Sequence, residues 1–302
     1  MKIYKITDDD NKSRLDRWIR RNICEIPQSL IEKNIRKGNI KVNNKKEKSS
    51  YKLKKNDSIL IHNINFAANK HKKKTEVYTA TKKDLSQSKN LIVENNENFV
   101  VVNKPAGIAV QSGTKSRKNI LDILKSKSEF EGFTPYSVHR IDKDTTGILI
   151  VAKNRKYAQL FTSLFRLRKI HKTYLGITVG VLKNSKGTIK DDLIYTENNK
   201  SITVAAITNY LVLNSNNNYS FLKLNPITGR KHQLRKQLLM HGCPILGDSK
   251  YRFSETKKIK KNNLMLHAYR INFSINKKKF SYQIDPPNEF VNMLKEKYLK
   301  TF

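Results

Sequence analysis

Between His139 and Asn154 the chain reads His-Arg-Ile-Asp-Lys-Asp-Thr-Thr-Gly-Ile-Leu-Ile-Val-Ala-Lys-Asn. A polar, charged segment pivots on Gly147 and runs into the apolar, strand-like stretch Ile148 to Ala152. That arrangement can hold a reactive side chain at the rim of a rigid sheet. Asp142 is a candidate reactive group in it, because a carboxylate can attack an electrophilic carbon or remove a proton. Asp144 raises a rival, since paired carboxylates also serve glycosidases and metal nucleases. Spacing leaves the pair open: residues two apart share a side in an extended segment and diverge in a turn. Acids and histidines are not clustered elsewhere, and His232, His241 and His267 lack metal-ligand spacing, so no metal site is expected and these histidines read as structural or RNA-proximal.

Two further groups carry chemistry. Lys172-Thr173-Tyr174-Leu175 opens a strand-like run to Val181, after a helix expected over 157–168. Asn225-Pro226-Ile227-Thr228-Gly229-Arg230-Lys231-His232-Gln233-Leu234-Arg235 places a Thr-Gly turn, basic side chains and a new helix start together, a combination suited to binding anions. Each has a bland reading: a turn aspartate, a half-buried strand tyrosine, a solvated basic helix face. Their occurrence together and in order favours the functional one.

The elements that must position these groups fall into two regions. Over 13–62, Ser13 is expected to cap a helix with Leu15, Trp18 and Ile19 on one face. A second helix is expected to begin with the capping box Ser29-Leu30-Ile31-Glu32 and to end at Gly38. The period then changes to alternation at Ile40 and Val42, with turns at Asn43-Asn44 and Asn56-Asp57 and a continuation at Ile59 and Ile61. Residues 63–90 are poor in apolar side chains and read as a flexible basic linker. Strand-like runs at Leu91 to Glu94 and Phe99 to Val102 then lead to Lys104-Pro105-Ala106-Gly107. There is no internal repeat and no regular strand–helix alternation.

Composition bounds the partners. The 302 residues carry 61 Lys and Arg against 25 Asp and Glu, a formal charge of +36, which draws in a polyanion such as RNA. Part of the excess is compositional, since Asn-Lys runs fill even the expected loops. Apolar runs are far shorter than the roughly 20 residues that span a bilayer, so no membrane partner is expected. Cys24 and Cys243 lie far apart, outside any Cys-x-x-Cys pair, which suggests neither a disulfide framework nor zinc and suits a reducing cytoplasm.

The 139–154 segment closely resembles the signature of the RluA-type RNA pseudouridine synthases, with Ile141 where leucine is usual and Thr146 where serine is usual. The Lys104 phrase, Tyr174 and the Arg230–Arg235 group follow in family order. Lys236-Gln237 departs from it, standing where Val-His is usual. The resemblance implies an α+β protein: a catalytic domain over 91–302 on a mixed, mostly antiparallel central sheet, with a small S4-like RNA-binding domain at 13–62. It implies isomerisation of flipped-out uridines in large-subunit (23S) ribosomal RNA without a cofactor. Asp142 would act beneath the sugar, attacking C1′ or removing the C2′ proton. Tyr174 would pack on the uracil and is a candidate base for the C5 proton. Arg235 would hold Asp142 ionised and oriented, and Arg140 would fill the gap left by the flipped base. Arg230, His232 and Lys104 would lie on the RNA or substrate side, and Arg14, Arg17, Arg20, Lys33, Arg36 and Lys37 would contact phosphates. Ala109-Val110-Gln111-Ser112-Gly113 looks most like the bacterial RluC group, with the RluD group the near alternative and pre-ribosomal particles an alternative substrate. Two rivals of other classes are a non-catalytic RNA-binding or ribosome-assembly factor, which leaves Asp142, Tyr174 and Arg235 without a role, and a glycosylase that would release free uracil.

Overall fold

A computed structural model describes residues 2–7, 10–23, 27–62, 91–111, 119–197, 200–253 and 263–300. The linker expected at 63–90 lies outside the described residues, as do Cys24, Ser112 and Gly113. The chain divides into two compact units, Met1–Glu76 and Val77–Phe302.

In the first unit, β1 (Lys2–Lys5), β2 (Ile40–Val42) and β3 (Ser58–Ile61) form an antiparallel sheet in the order β1-β3-β2. Helices α1 (Leu15–Asn22) and α2 (Gln28–Lys37) contribute Leu15, Trp18, Ile19, Ile31 and Ile35 to a core shared with Ile40, Val42 and Ile59. Gly38 closes α2 in the left-handed region (φ 80°), its N–H donating to the carbonyls of Asn34 and Ile35. Asn43 and Asn44 also have positive φ, as the tight β2 turn requires. Both expected helix caps are corrected. Ser13 is buried with its carbonyl accepting from Leu53 N–H, and Arg14 takes the cap position of α1 without a side-chain cap. Ser29 lies inside α2, which begins a residue earlier behind extended Pro27. Pro27 has no side-chain oxygen, so its fixed φ starts the helix in place of a capping box.

The second unit is built on a ten-stranded sheet. Along the chain come β4 (Ile92–Asn95), β5 (Phe99–Lys104), α3 (Ile120–Lys125), β6 (Tyr136–Ser137), β7 (Thr146–Ala152), α4 (Arg155–Arg166) and β8 (His171–Val179). There follow β9 (Lys186–Glu197), β10 (Lys200–Ser215), β11 (Tyr219–Pro226), α5 (Gln233–Met240), β12 (Leu266–Ile275), β13 (Lys278–Gln283) and α6 (Asn288–Glu296). The strand order is β4-β5-β7-β12-β8-β11-β10-β9, with β6 on β7 and β13 on β12. Only β7 and β12 pair in parallel, so the sheet is mixed and mostly antiparallel. Helix α4 starts two residues before the expected position because Asn154 caps it, accepting from Tyr157 N–H. Among the described residues no helix is long and apolar enough to cross a membrane.

Strand β7 shows why its sequence is continuously apolar. Ile148 and Ile150 pack on one side with Phe99, Phe161 and Phe273, while Leu149 and Val151 pack on the other with Val100, Val102 and Ile120. A strand covered on both faces needs no polar alternation. At its start Gly147, with φ 102°, pairs with Ala268 so closely that an added Cβ would lie 2.3 Å from the Ala268 carbonyl oxygen. Beside it, buried His267 bridges Thr146 Oγ1 (Nδ1, 2.8 Å) and the Ile284 carbonyl (Nε2, 2.8 Å). The carbonyl can only accept, so Nε2 carries the proton and the Thr146 hydroxyl donates to Nδ1. We expect Gly147→Ala to destabilise the protein by about 3 kcal/mol or more, through left-handed strain and backbone overlap. Denaturant unfolding that shows a loss below about 1 kcal/mol would contradict this account of the β7–β12 junction.

Candidate active site

Asp142 sits in the loop that feeds β7, where its carbonyl accepts from Thr145 N–H at 3.2 Å. This is a turn, so the side chains of Asp142 and Asp144 diverge, and Asp144 is absent from the wall of the cavity that Asp142 lines. The loop is pinned from below by Lys104. Its Nζ donates to the carbonyls of Pro105 (2.7 Å), Ile108 (3.0 Å) and Lys143 (2.9 Å), and the side chain is fully buried. Burial pushes its pKa down to about 7, with Asp144 and Asp142 opposing. Lys104 is therefore not an RNA contact as expected but a strut, because an ammonium has three protons and all three are used within the fold.

Arg235, on the first turn of α5, aims Asp142. Its Nη1 donates to Asp142 Oδ2 at 3.1 Å, while Nε and Nη2 grip Asp248 Oδ2 and Oδ1 at 2.6 and 2.8 Å. Asp248 follows Gly247, which is left-handed (φ 79°), and its Oδ1 also accepts from the N–H groups of Lys250 and Tyr251, each at 2.8 Å. The Tyr251 ring lies 5.0 Å from the guanidinium. Burial favours an uncharged Asp248, but the Arg235 fork and the two N–H groups outweigh it and hold the carboxyl below its ordinary value. For Arg235, burial opposes the charge and the two carboxylates more than restore it. Such forks fix both angle and distance.

Helix α5 is itself held by a buried polar network. Gln233 donates to Thr208 Oγ1 (2.9 Å) and accepts from Thr228 Oγ1 (2.7 Å) and from Arg230 N–H (3.0 Å). Thr208 in turn donates to Gln237 Oε1 at 2.7 Å. Gln237, flagged by the sequence as a departure, is thus a buried tie between α5 and β10. A network with every member satisfied specifies one arrangement.

The cavity so formed has a volume of about 600 Å³. Asp142 is the one carboxylate among its lining residues. Arg140, Arg166, Arg168, Lys172, Arg230 and Lys231 surround it, and Tyr174, Phe165, Ile170 and Leu266 supply apolar wall. The expected residues Asp142, Tyr174, Arg235, Arg140, Arg230 and His232 therefore converge on one space. His232 Nε2 lies 3.8 Å from Asp142 Oδ1, and Nδ1 meets the Tyr251 hydroxyl at 2.9 Å. Burial lowers the His232 pKa, with Asp142 opposing and Arg235 and Lys250 adding to the fall, so the ring is held neutral at pH 7. Tyr174 pairs with Leu224 on one side and Ala268 on the other. Burial, and then the charge of Asp142, push its phenol above the ordinary value. In the other unit Arg17, Arg20, Lys33, Arg36 and Lys37 are exposed, whereas Arg14 is turned onto Asp16 (Nε to Oδ1, 3.1 Å). Among the described residues no three His, Cys, Asp or Glu side chains gather as a metal-ligand group.

A family model described as RNA pseudouridylate synthase matches residues 98–240, the span that holds Asp142, Tyr174 and Arg235. Ribosomal large subunit pseudouridine synthase C of Buchnera aphidicola subsp. Baizongia pistaciae is 31% identical over 95% of this chain and 93% of its own. The protein of that name from Rickettsia conorii is 34% identical over 86% and 88%. The chain belongs to the RNA pseudouridylate synthase family. Its fold agrees with the solved structure of human RNA pseudouridylate synthase domain containing 4, at 28% identity and a TM-score of 0.61 over 72% of this chain and 97% of that one.

The synthase cavity also holds residues that sequence reasoning did not assign. His139 accepts from Ile150 N–H at Nε2 (2.9 Å) and stacks on Phe165 with centroids 4.6 Å apart. Burial, with Lys172 adding, pushes its pKa down to about 3, so it is a neutral wall of the site. Arg166 and Arg168 had no signal beyond their charge, and Lys172 stood in the phrase that holds Tyr174 without a role of its own. Asp248 had no assignment from the sequence, and only the fold reveals that it anchors Arg235. Because the Asp248 pKa is depressed in the folded state, its pairing contributes stability that is complete above the unfolded carboxylate value of about 4 and is lost as pH falls through the folded value. Asp248→Asn should therefore cost about 3 to 5 kcal/mol at pH 7 by leaving Arg235 short of a buried partner. In thermal melts from pH 7 to pH 2, the gap between wild type and variant should narrow below about pH 4; a gap that is constant over that range would remove Asp248 as the anchor.

Proposed function

We propose that this synthase converts specific uridines of large-subunit (23S) ribosomal RNA to pseudouridine. The observation that carries the reading is a single carboxylate, Asp142, aimed by an anchored arginine into a cavity whose other lining side chains are cationic, apolar or neutral polar. Cations at the rim suit the phosphates of a flipped-out nucleotide, and the apolar wall suits its base. Placed beneath the ribose, Asp142 can attack C1′ or take the C2′ proton, and either step frees uracil to turn and rejoin through C5.

Tyr174 stays protonated at neutral pH because both burial and Asp142 disfavour the phenolate. It acts as a surface against the uracil ring and not as a standing base for the C5 proton. Arg140, exposed at the cavity rim, is suited to stacking in the gap that the base leaves. The names of the relatives support a large-subunit ribosomal RNA substrate and the RluC-like assignment, and a cytoplasmic setting is read from that substrate. The N-terminal unit is read as the S4-like RNA-binding domain, with Arg17, Arg20, Lys33, Arg36 and Lys37 tracking phosphates. Arg14 contributes there only if it leaves Asp16.

The test is tritium release from protein-free 23S ribosomal RNA labelled at uracil C5, with pseudouridine mapping and assay of free uracil. Wild type should release tritium without free uracil, and Asp142→Asn should be slower by at least about a thousandfold while still binding RNA. Free uracil in place of pseudouridine would make the protein a glycosylase, and an active Asp142→Asn would remove Asp142 from the chemistry. Affinity should also fall steeply between low and physiological salt; binding that is flat over that range would exclude the basic surfaces as the RNA track.

A further inference from the structure

Strands β9 and β10 pair well beyond the point where the rest of the sheet supports them. β11 joins β10 only from Thr208 onward, whereas β9 and β10 continue together to Glu197 and Lys200. Asp191 to Glu197 and Lys200 to Ala206 thus form a two-stranded ribbon, an arrangement that is marginal in water by itself. Something else must fix its direction.

The period of two puts Asp191, Leu193 and Tyr195 on one face, with Ala206, Val204 and Ile202 as their cross-strand partners. Near the root that face is tied firmly to α5. Gln237 donates to Asp191 Oδ2 (3.0 Å) and to the Ala206 carbonyl (3.1 Å), Arg230 Nε donates to the Ala205 carbonyl (3.1 Å), and Leu193 is buried. Further out the apolar support fails: Ile202, the cross-strand partner of Tyr195, is 40% exposed, and on the opposite face Ile194 is 63% exposed. What remains there is one cluster. Lys236 Nζ lies 3.9 Å from the Tyr195 ring centroid and donates to the Ile194 carbonyl (3.1 Å), and the Tyr195 hydroxyl donates to the Lys231 carbonyl (2.9 Å). Lys231 lines the catalytic cavity, and Lys236 adjoins Arg235 in sequence. The valine usual at position 236 in the family that the sequence resembles could make neither the cation contact nor the hydrogen bond.

We propose that Lys236 and Tyr195 form a latch that holds the β9–β10 ribbon at the lip of the catalytic cavity and so sets the width of the opening through which RNA reaches Asp142. They are positioning residues for substrate binding. The proposal rests on the reading of the cavity as an RNA site.

The test uses the full-length protein with Lys236→Val, Lys236→Arg and Tyr195→Phe, and two readouts. The first is amide exchange over 193–204 without RNA. The second is steady-state isomerisation of C5-tritiated 23S ribosomal RNA. Lys236→Val should speed exchange in the ribbon by about three- to tenfold, the range expected for a lost cation–aromatic contact, and should raise KM by a similar factor with kcat little changed. Lys236→Arg, whose guanidinium can also stack on the ring, should restore both, and Tyr195→Phe, which loses only the bond to Lys231, should fall between. Unchanged exchange in Lys236→Val would overturn the latch. If RNA affinity then also showed a salt slope smaller by about one, Lys236 would be an ordinary phosphate contact. A fall in kcat with unchanged KM would overturn the role at the opening. If exchange responds as expected but wild type forms no pseudouridine, the latch stands and the RNA reading, with the role at the opening, is lost.

Discussion

The site depends on a guanidinium shared between two carboxylates of unequal freedom. Asp248 is wholly buried and takes the two-pronged end of Arg235, while Asp142, partly exposed, takes the remaining nitrogen. Removing charge from water is costly, and the cost is offset here only because the pair also accepts backbone N–H groups and meets an aromatic face. The outer aspartate is therefore aimed by a partner that cannot turn. Lys104 completes the restraint, tying the Lys143 carbonyl, next to Asp142, to the Ile108 carbonyl of its own segment.

Electrostatics then separates the roles of the lining residues. A cavity surrounded by cations would hold a polyanion without acting on it. A single carboxylate among them changes the outcome, because the field that draws in phosphate also keeps that carboxylate free of competing acids. Burial acts selectively on the neighbours: it neutralises His139 and His232 and keeps the Tyr174 phenol intact. Among the residues that line the cavity, Asp142 is the one carboxylate.

Much of this was legible in the sequence, for identifiable reasons. The 139–154 segment contains both Asp142 and the strand that its loop feeds, so local pattern and candidate site coincide. Arg235 and Tyr174 were legible because the phrases that hold them, one at a helix start and one at a strand start, resemble those of the family in kind and order. What escaped was long-range. Lys104 looks like any surface lysine until the distant Lys143 carbonyl joins those of Pro105 and Ile108 around it, and Asp248 looks like a turn residue until Arg235 reaches it. The caps of α1 and α2 were misplaced because Ser13 and Ser29 have the right chemistry, but pairing with the 51–53 segment and the fixed φ of Pro27 decided where the helices begin. Lys236-Gln237, apparently a local irregularity, proved to be where α5 is tied to its neighbouring ribbon.

The bond from Arg235 to Asp142 joins residues 93 apart in sequence, and this separation bears on how the protein is made. During synthesis Asp142 leaves the ribosome long before Arg235, and Arg235 before Asp248. Contacts of such span form late, after the intervening chain has closed its loops. A nascent or truncated chain thus carries the complete recognition segment and an apolar β7, yet lacks the group that would aim its carboxylate. The contacts that aim Asp142 therefore require the chain through Asp248, whereas much of its positive charge is present earlier.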